Sequence, residues 1–210
     1  MIIKSSLDSI KSNGSLLDLG CGCGIVSILI GKLLNYNLKI YASDISNTVE
    51  EIVKTNADMH NVDISVRQSN IFEEWQNIKF DYIVNDISGV SSIVSKFSPW
   101  FNNISCESGE RGNLLVNKVI DQSSSFLTKQ GKLFFPIISL SDKDSILSEA
   151  KKNFKNLKLL DSQDWPMPKE MLSHLEILND LKSQGMISFK EKFGILIGTT
   201  EIYVAYNQSI

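Results

Sequence analysis

A carboxylate and three glycines, Asp18-x-Gly20-x-Gly22-x-Gly24, lie between an apolar strand-like run and an apolar helix-like run. Glycines let a chain turn sharply and let a ligand lie against bare backbone. A helix that begins just after such a turn presents unpaired N–H groups to it. In open α/β sheets this carboxyl end of the strands is where ligands bind. The spacing separates two ligand chemistries. A dinucleotide fingerprint needs Gly-x-Gly-x-x-Gly, but the sixth position is Ile25 counted from Gly20 and Ser27 counted from Gly22. The third glycine of a pyrophosphate-binding turn is missing, which disfavours an NAD-dependent oxidoreductase. Asp44 ends the next apolar run. There a carboxylate either accepts hydrogen bonds from both hydroxyls of a ribose or caps the following helix.

Such residues need a parallel sheet to position them. Apolar patterning predicts strands over 15–19, 38–43, 62–67, Phe80–Asn85, 131–138 and 157–161. Helical spacing covers Ile25–Leu34, a segment capped by Asn47 or Thr48 and running to 59, then 113–127, 144–154 and 170–183. The stretch 86–111, rich in Ser, Asn and Gly, reads as a long functional or mobile loop. Residues 194–198 and 201–206 form one long bent strand or a hairpin. Strand–helix alternation that closes in a β-rich tail predicts an α/β fold. The expected sheet has seven strands, mostly parallel with one antiparallel, and helices cover both faces. The chain reads as a single domain over 1–210 with a lid insertion at about 163–193, which carries Pro166 and Pro168.

Composition narrows the classes. The chain has 210 residues, ample for a hydrophobic core, and its net charge of −3 supplies no general field for nucleic acid. No run of about 18 apolar residues suggests a membrane span, and residues 1–15 lack the apolar stretch of a signal peptide. The three cysteines, Cys21, Cys23 and Cys106, suit a reducing cytoplasm rather than a disulfide scaffold. Cys21-x-Cys23 lacks the two-residue gap of a metal half-site, and His60 and His174 are distant. No metal is expected, and the two cysteines read as small residues filling a tight turn.

Leu16-Leu-Asp-Leu-Gly-Cys-Gly-Cys-Gly24 resembles the first motif of class I S-adenosylmethionine (SAM)-dependent methyltransferases, and Ala42-Ser-Asp-Ile45 resembles the second. Asn56-Ala-Asp-Met-His-Asn61 with Val66-Arg-Gln-Ser-Asn-Ile-Phe72 is similar to the family's "NA…NG…GD.F" segment. The subgroup resembled is the small-domain type, which includes HemK-type glutamine and ribosomal-RNA guanine methyltransferases. Phe80-Asp-Tyr-Ile-Val-Asn85 stands where that group has the strand leading into Asn-Pro-Pro-Tyr. Ser108-Gly-Glu-Arg-Gly112 resembles its "GG.DG" segment, and Lys129-Gln-Gly-Lys-Leu133 its "L.PGG.L" turn. The resemblance spans about residues 14–138. It implies a Rossmann-like fold and SAM as cofactor, held by Asp18, Gly20, Cys21, Gly22, Gly24, Asp44, Ile45, Asn70, Ile71 and Asn85. Asn70 replaces the usual Asp facing the adenine amine and can still accept through its side-chain oxygen.

One departure bears on the acceptor. Asn-Pro-Pro-Tyr becomes Asn85-Asp-Ile-Ser88, so the proline carbonyl and the aromatic residue that hold a planar nitrogen are absent. Asn85 and Asp86 are the expected catalytic pair. Asn85 orients the acceptor, and Asp86 binds an amine or acts as general base, or is a satisfied loop residue. The methyl acceptor, a nitrogen or other heteroatom of a protein, an RNA or a small molecule, stays open. A catalytically inactive SAM- or nucleotide-binding module is the rival class. Segments 87–111 and 163–193 are expected to form the substrate lid. Phe97, Trp100 and Trp165 either stack a planar substrate or pack as core.

Overall fold

The computed structural model describes residues 1–11, 13–34, 37–87, 89–101 and 108–207. Ser88, the last residue of the Asn85-Asp-Ile-Ser88 segment, and Cys106 fall outside them. The chain opens with helix α1 (Ile2–Leu7) and then alternates β1 (Asn13–Leu19), α2 (Ile25–Leu34), β2 (Asn37–Asp44), α3 (Val49–His60), β3 (Ile64–Gln68) and β4 (Phe80–Asn85). A short α4 (Ser92–Ser95) interrupts the loop after β4, and α5 (Leu114–Ser123), β5 (Leu127–Ile138), α6 (Lys143–Asn153) and β6 (Asn156–Pro166) follow. The chain ends in a 3-10 turn, Lys169–His174, then α7 (Leu175–Ser183), β7 (Lys190–Lys192) and β8 (Ile195–Tyr206).

The strands order as β3-β2-β1-β4-β5-β8-β6. The five from β3 to β5 pair in parallel, and β8 pairs antiparallel with both β5 and β6. This is the expected seven-stranded arrangement with one reversed strand. The structure adds an eighth strand, β7, paired antiparallel with the first residues of β8. Among the described residues no helix is long and apolar enough to cross a membrane.

Alternation along the strands divides the core by face. Leu16, Ile40, Ala42, Val84, Phe134 and Val204 point into one layer with α2 and α3. Leu17, Leu19, Ile83, Leu133, Phe135 and Ala205 point into the other with α5 and α6. A third cluster lies in the segment between β6 and β8, where Met167, Met171, Leu178, Leu181 and Phe189 close on Val90, Val94 and Leu140.

Several boundaries move for physical reasons. The six-residue α1 was not expected, because so short a segment carries little periodicity. No side chain caps α3. Thr48 occupies the cap position without the bond, and its backbone N–H donates to Ser46 Oγ at 3.3 Å. Leu127, read as the helix end, starts β5 instead, with a register shift between Phe80 and Tyr82 on its neighbour. The short strand expected over 157–161 runs on to Pro166, because β8 is continuous and offers it partners as far as Ile197. The helix expected over 170–183 begins as the 3-10 turn, and only Leu175 onward is α-helical.

The Ser108–Gly112 segment is a brace. Ser92 N–H donates to the Gly109 carbonyl (3.0 Å), and Ser91 Oγ donates to that of Glu110 (2.5 Å), fixing the chain after β4. Arg111 Nε meets Asp142 Oδ2 at 2.6 Å, while Asp142 Oδ1 accepts from Ser145 N and caps α6. One carboxylate thus joins two segments on the carboxyl side of the sheet. Asp142→Ala removes a cap and a charge-assisted bond together, a loss of about 2 kcal/mol. Thermal unfolding should fall by roughly 4–8 °C for a domain of this size; an unchanged midpoint would mean that the brace contributes nothing.

Candidate active site

The glycine turn is built by hydrogen bonds from below. The Ser43 carbonyl at the end of β2 accepts from both Gly20 N (2.8 Å) and Cys21 N (3.0 Å), and Gly24 N donates to the Cys21 carbonyl (2.8 Å). Gly20 has φ +78°, and a Cβ there would stand 3.0 Å from Ile87 N and 3.1 Å from its Cα, so only glycine lets the loop after β4 close against the turn. Gly22 has φ +53° and open space around it. Cys21 is buried and Cys23 exposed. Burial raises the pKa of the Cys21 thiol and keeps it protonated, as fits a packing role. Asn56 on α3 donates to the Cys23 carbonyl at 2.9 Å and ties the turn to its neighbour helix.

Asp18 lies fully buried under this turn. Its Oδ2 accepts from Ser27 N at 3.0 Å and from Ser27 Oγ, which anchors the first turn of α2 on the end of β1. Its Oδ1 is buried without a partner. Burial raises its pKa, with Asp86 and Asp44 adding repulsion against the lowering from Ser27, to about 7. A carboxyl raised from an ordinary 3.8 favours the folded state while protonated, and that contribution is lost as pH rises through about 7.

Asp44 ends β2 beside the turn, where its Oδ2 accepts from Gly22 N and its Oδ1 from Ser46 N, both at 3.0 Å. Each oxygen keeps a further lone pair. Ile45, 68% exposed, presents an apolar side chain next to it. Asn70 donates from Nδ2 to Glu73 at 2.9 Å, which commits its nitrogen and leaves its oxygen as an acceptor. Ile71 is buried at φ +54°, a left-handed conformation costly for a β-branched residue and typical of ligand clamps. Ser69 steadies it, with Oγ donating to the Ile71 carbonyl at 3.0 Å.

Asn85 and Asp86 follow on the other side of the turn. Asn85 is fully buried, its Oδ1 accepts from Ile87 N at 3.3 Å, and its Nδ2 has no partner. Asp86 continues the strand pairing through its N–H to the Leu19 carbonyl at 2.9 Å. Asp86 is an exposed residue at the cavity, where partial desolvation of its carboxyl raises its pKa. The cavity, about 900 Å³, is lined by Gly20, Asp44, Ile45, Asn70, Ile71 and Asp86 among the expected residues. Asp18, Cys21, Gly22, Gly24 and Asn85 are not in its lining but form the turn and strand ends beside it.

Sequence reasoning passed over several contributors. Ser27 and Ser43 were unremarkable serines by type, and only the fold shows that one holds Asp18 and the other the glycine turn. The far wall is formed by Phe101, Leu114, Leu115, Pro136 and Ile138, with Lys118 at its edge. Of the two readings open for Phe97, Trp100 and Trp165, packing is the one observed, and none of them lines the cavity. Trp100 and Trp165 pack together at 5.1 Å, Trp165 over Gly198, and Phe97 stacks on His174 at 4.3 Å. They pack the segment after β4 against β6 and the 3-10 turn.

Known proteins are similar to this chain in sequence and in fold. Residues 2–86 match the family model described as the methyltransferase small domain. A release factor glutamine methyltransferase of Flavobacterium psychrophilum is 29% identical over 169 residues, covering 75% of this chain and 58% of that protein. A ribosomal protein L11 methyltransferase of Thermotoga neapolitana is 24% identical over 124 residues, 59% of this chain and 44% of the relative. The chain therefore spans about half the length of these curated relatives. The crystal structure of a precorrin-6y C5,15-methyltransferase from Geobacter metallireducens shares the fold, with a TM-score of 0.60 at 11% identity over 98% of this chain and 86% of that one. The matched segment, 2–86, carries the glycine turn, Asp44, Asn70 and Asn85. Over residues 2–86 the chain is thus similar to the methyltransferase small domain, and the relatives it resembles are named as methyltransferases.

Proposed function

We propose that this protein is a SAM-dependent methyltransferase that transfers a methyl group to a nitrogen, or another heteroatom, of a protein, RNA or small-molecule acceptor. The observation that carries the reading is the cavity beside the bare glycine turn, flanked by Asp44 and by the buried Asp18 with its unpartnered Oδ1. The residues present fit that cofactor. Asp44 keeps a lone pair on each oxygen for the two ribose hydroxyls. Ile45 and Ile71 offer apolar surface for the adenine, and the Asn70 oxygen accepts from its amine. The Asp18 Oδ1 suits an ammonium group, which would give the buried carboxylate the cation it lacks.

When bound, SAM supplies a methyl group on a positively charged sulfur. Displacement at that carbon depends mainly on alignment, and orientation of this kind is worth roughly 7–11 kcal/mol in well-ordered sites. The rigid Asn85–Ile87 turn, pinned against Gly20, provides the fixed edge. The segment after β4 and the insertion over 163–193 would act as the lid that excludes water.

Isothermal titration should detect SAM and its demethylated product, S-adenosylhomocysteine, and no NAD. NAD binding without any response to SAM would overturn the reading. Asp44→Ala should weaken SAM by about 2–3 kcal/mol, the cost of two hydrogen bonds to one charged group, or roughly 30- to 150-fold; unchanged affinity would remove Asp44 from the site. Asp18 must be ionised to take an ammonium, and its pKa near 7 sets the sign of the pH dependence. Titrations at pH 6 in buffers of different ionisation heats should show a proton released on SAM binding, and at pH 8 a smaller release. Equal proton counts at the two values would separate Asp18 from the ligand.

A further inference from the structure

The cavity changes character along its length. Beside β2 it is polar, with Ser43, Asp44, Ser46, Ser69 and Asn70. Beyond β4 its wall is apolar and comes from three elements. Val90 and Phe101 belong to the segment after β4, Leu114 and Leu115 to α5, and Pro136 and Ile138 to the end of β5. Val116 and Ile146, 1% and 0% exposed, also line the cavity, so this half is cut into the core rather than laid on the surface. The wall is held in place. Phe101 and Ile138 pack against the cluster that contains Val90, and Ser91 N–H donates to the Leu140 carbonyl at 2.8 Å.

Polar side chains are scarce in this half. Ser141 gives its hydroxyl proton to the Ile138 carbonyl at 2.7 Å. Lys118 is exposed at the edge, and Asp86, also exposed, follows β4 where the two halves meet. Two macromolecular acceptors therefore fit poorly. RNA brings a negative charge with each nucleotide, whereas Lys118 is the one cation among the described lining residues, against Asp44 and Asp86. A peptide brings an N–H and a C=O with each residue, and on an apolar wall these lose their hydrogen bonds to water without replacement. A carbon skeleton loses nothing there and gains affinity with every methylene it buries. The cavity of about 900 Å³ lies within the size range of small-molecule sites.

We propose that the half beyond β4 holds the carbon skeleton of a small-molecule acceptor, an aliphatic or aromatic body of low polarity whose nucleophilic heteroatom lies at the end nearest the glycine turn. The proposal rests on the methyltransferase reading and names its substrate class. Of the protein, RNA and small-molecule acceptors that the reading leaves open, the wall selects the last.

Straight-chain alcohols test the wall without turnover. In protein saturated with S-adenosylhomocysteine, ligand-observed NMR should show affinity rising about three- to fourfold per added methylene from n-butanol through n-hexanol to n-octanol. Octanol should bind at least tenfold more tightly than hexaadenylate or the acetylated and amidated tripeptide Ala-Gln-Ala. A flat series, or tighter binding of the RNA or the tripeptide, overturns the proposal while saturation by S-adenosylhomocysteine upholds the cofactor reading. Protein that takes up no S-adenosylhomocysteine removes the cofactor reading and the acceptor with it. Two variants place the alcohol. Leu114 is 60% exposed, so Leu114→Gln does not empty the core; it should weaken octanol at least threefold and S-adenosylhomocysteine by less than twofold. Leu33, exposed on α2 with Ile25 and Leu29, serves as control, and Leu33→Gln should leave octanol binding unchanged. No effect of Leu114→Gln, or an equal effect of Leu33→Gln, would mean that the alcohols bind elsewhere and contradicts the proposal.

Discussion

The contact on which the site hangs is the one between Asp18 and Ser27. A carboxylate with no access to water sits at the end of β1, and the first turn of α2 grips one of its oxygens with a backbone N–H and a hydroxyl. That grip sets where α2 begins, and so the size of the glycine turn between them. The turn in turn is latched to β2 through the Ser43 carbonyl and packed under Ile87 from the loop after β4. Three strand ends and one helix start are thus locked around a carboxylate that is only half satisfied. Holding its second oxygen unpartnered costs stability, and the arrangement makes sense as a site whose missing partner is a ligand.

Behind this junction the two halves of the cavity follow different rules. The half beside β2 is defined by backbone geometry, since a bare turn, a strand-end carboxylate and a left-handed Ile71 need particular residues at particular positions. The half beyond β4 is assembled from α5, the end of β5 and the segment that follows β4, all held by the Arg111–Asp142 brace. Its walls are apolar and can vary with the acceptor while the fold persists. The family match ends at 86, where the change from proline to Asp86 begins.

Legibility in the sequence follows the range of the interactions. Ile25–Leu34 and Phe80–Asn85 were readable to the residue because their boundaries are set locally, by a glycine turn or by a polar break. A seven-stranded sheet with one antiparallel strand followed from alternation and the β-rich tail, but β7 did not, since three charged and exposed residues become a strand only by pairing with β8. The full length of β6 was hidden for the same reason. In the site, Asp44 and Asp86 were visible because a carboxylate at a strand end is informative by type. Ser27, Ser43 and Ser69 were not, because a serine's role depends on which backbone group it meets. Trp100 and Trp165 could by type either stack a planar substrate or pack, and only tertiary structure, which turns them toward each other, decides.

The most direct test of the central claim is a crystal structure of the protein with S-adenosylhomocysteine. The account predicts the ribose hydroxyls on Asp44, the adenine between Ile45 and Ile71, and the amino group within hydrogen-bond distance of Asp18 Oδ1 or its immediate neighbours on the glycine turn. A ligand bound elsewhere, or one that leaves the Asp18 Oδ1 unpartnered and Asp44 untouched, would contradict it.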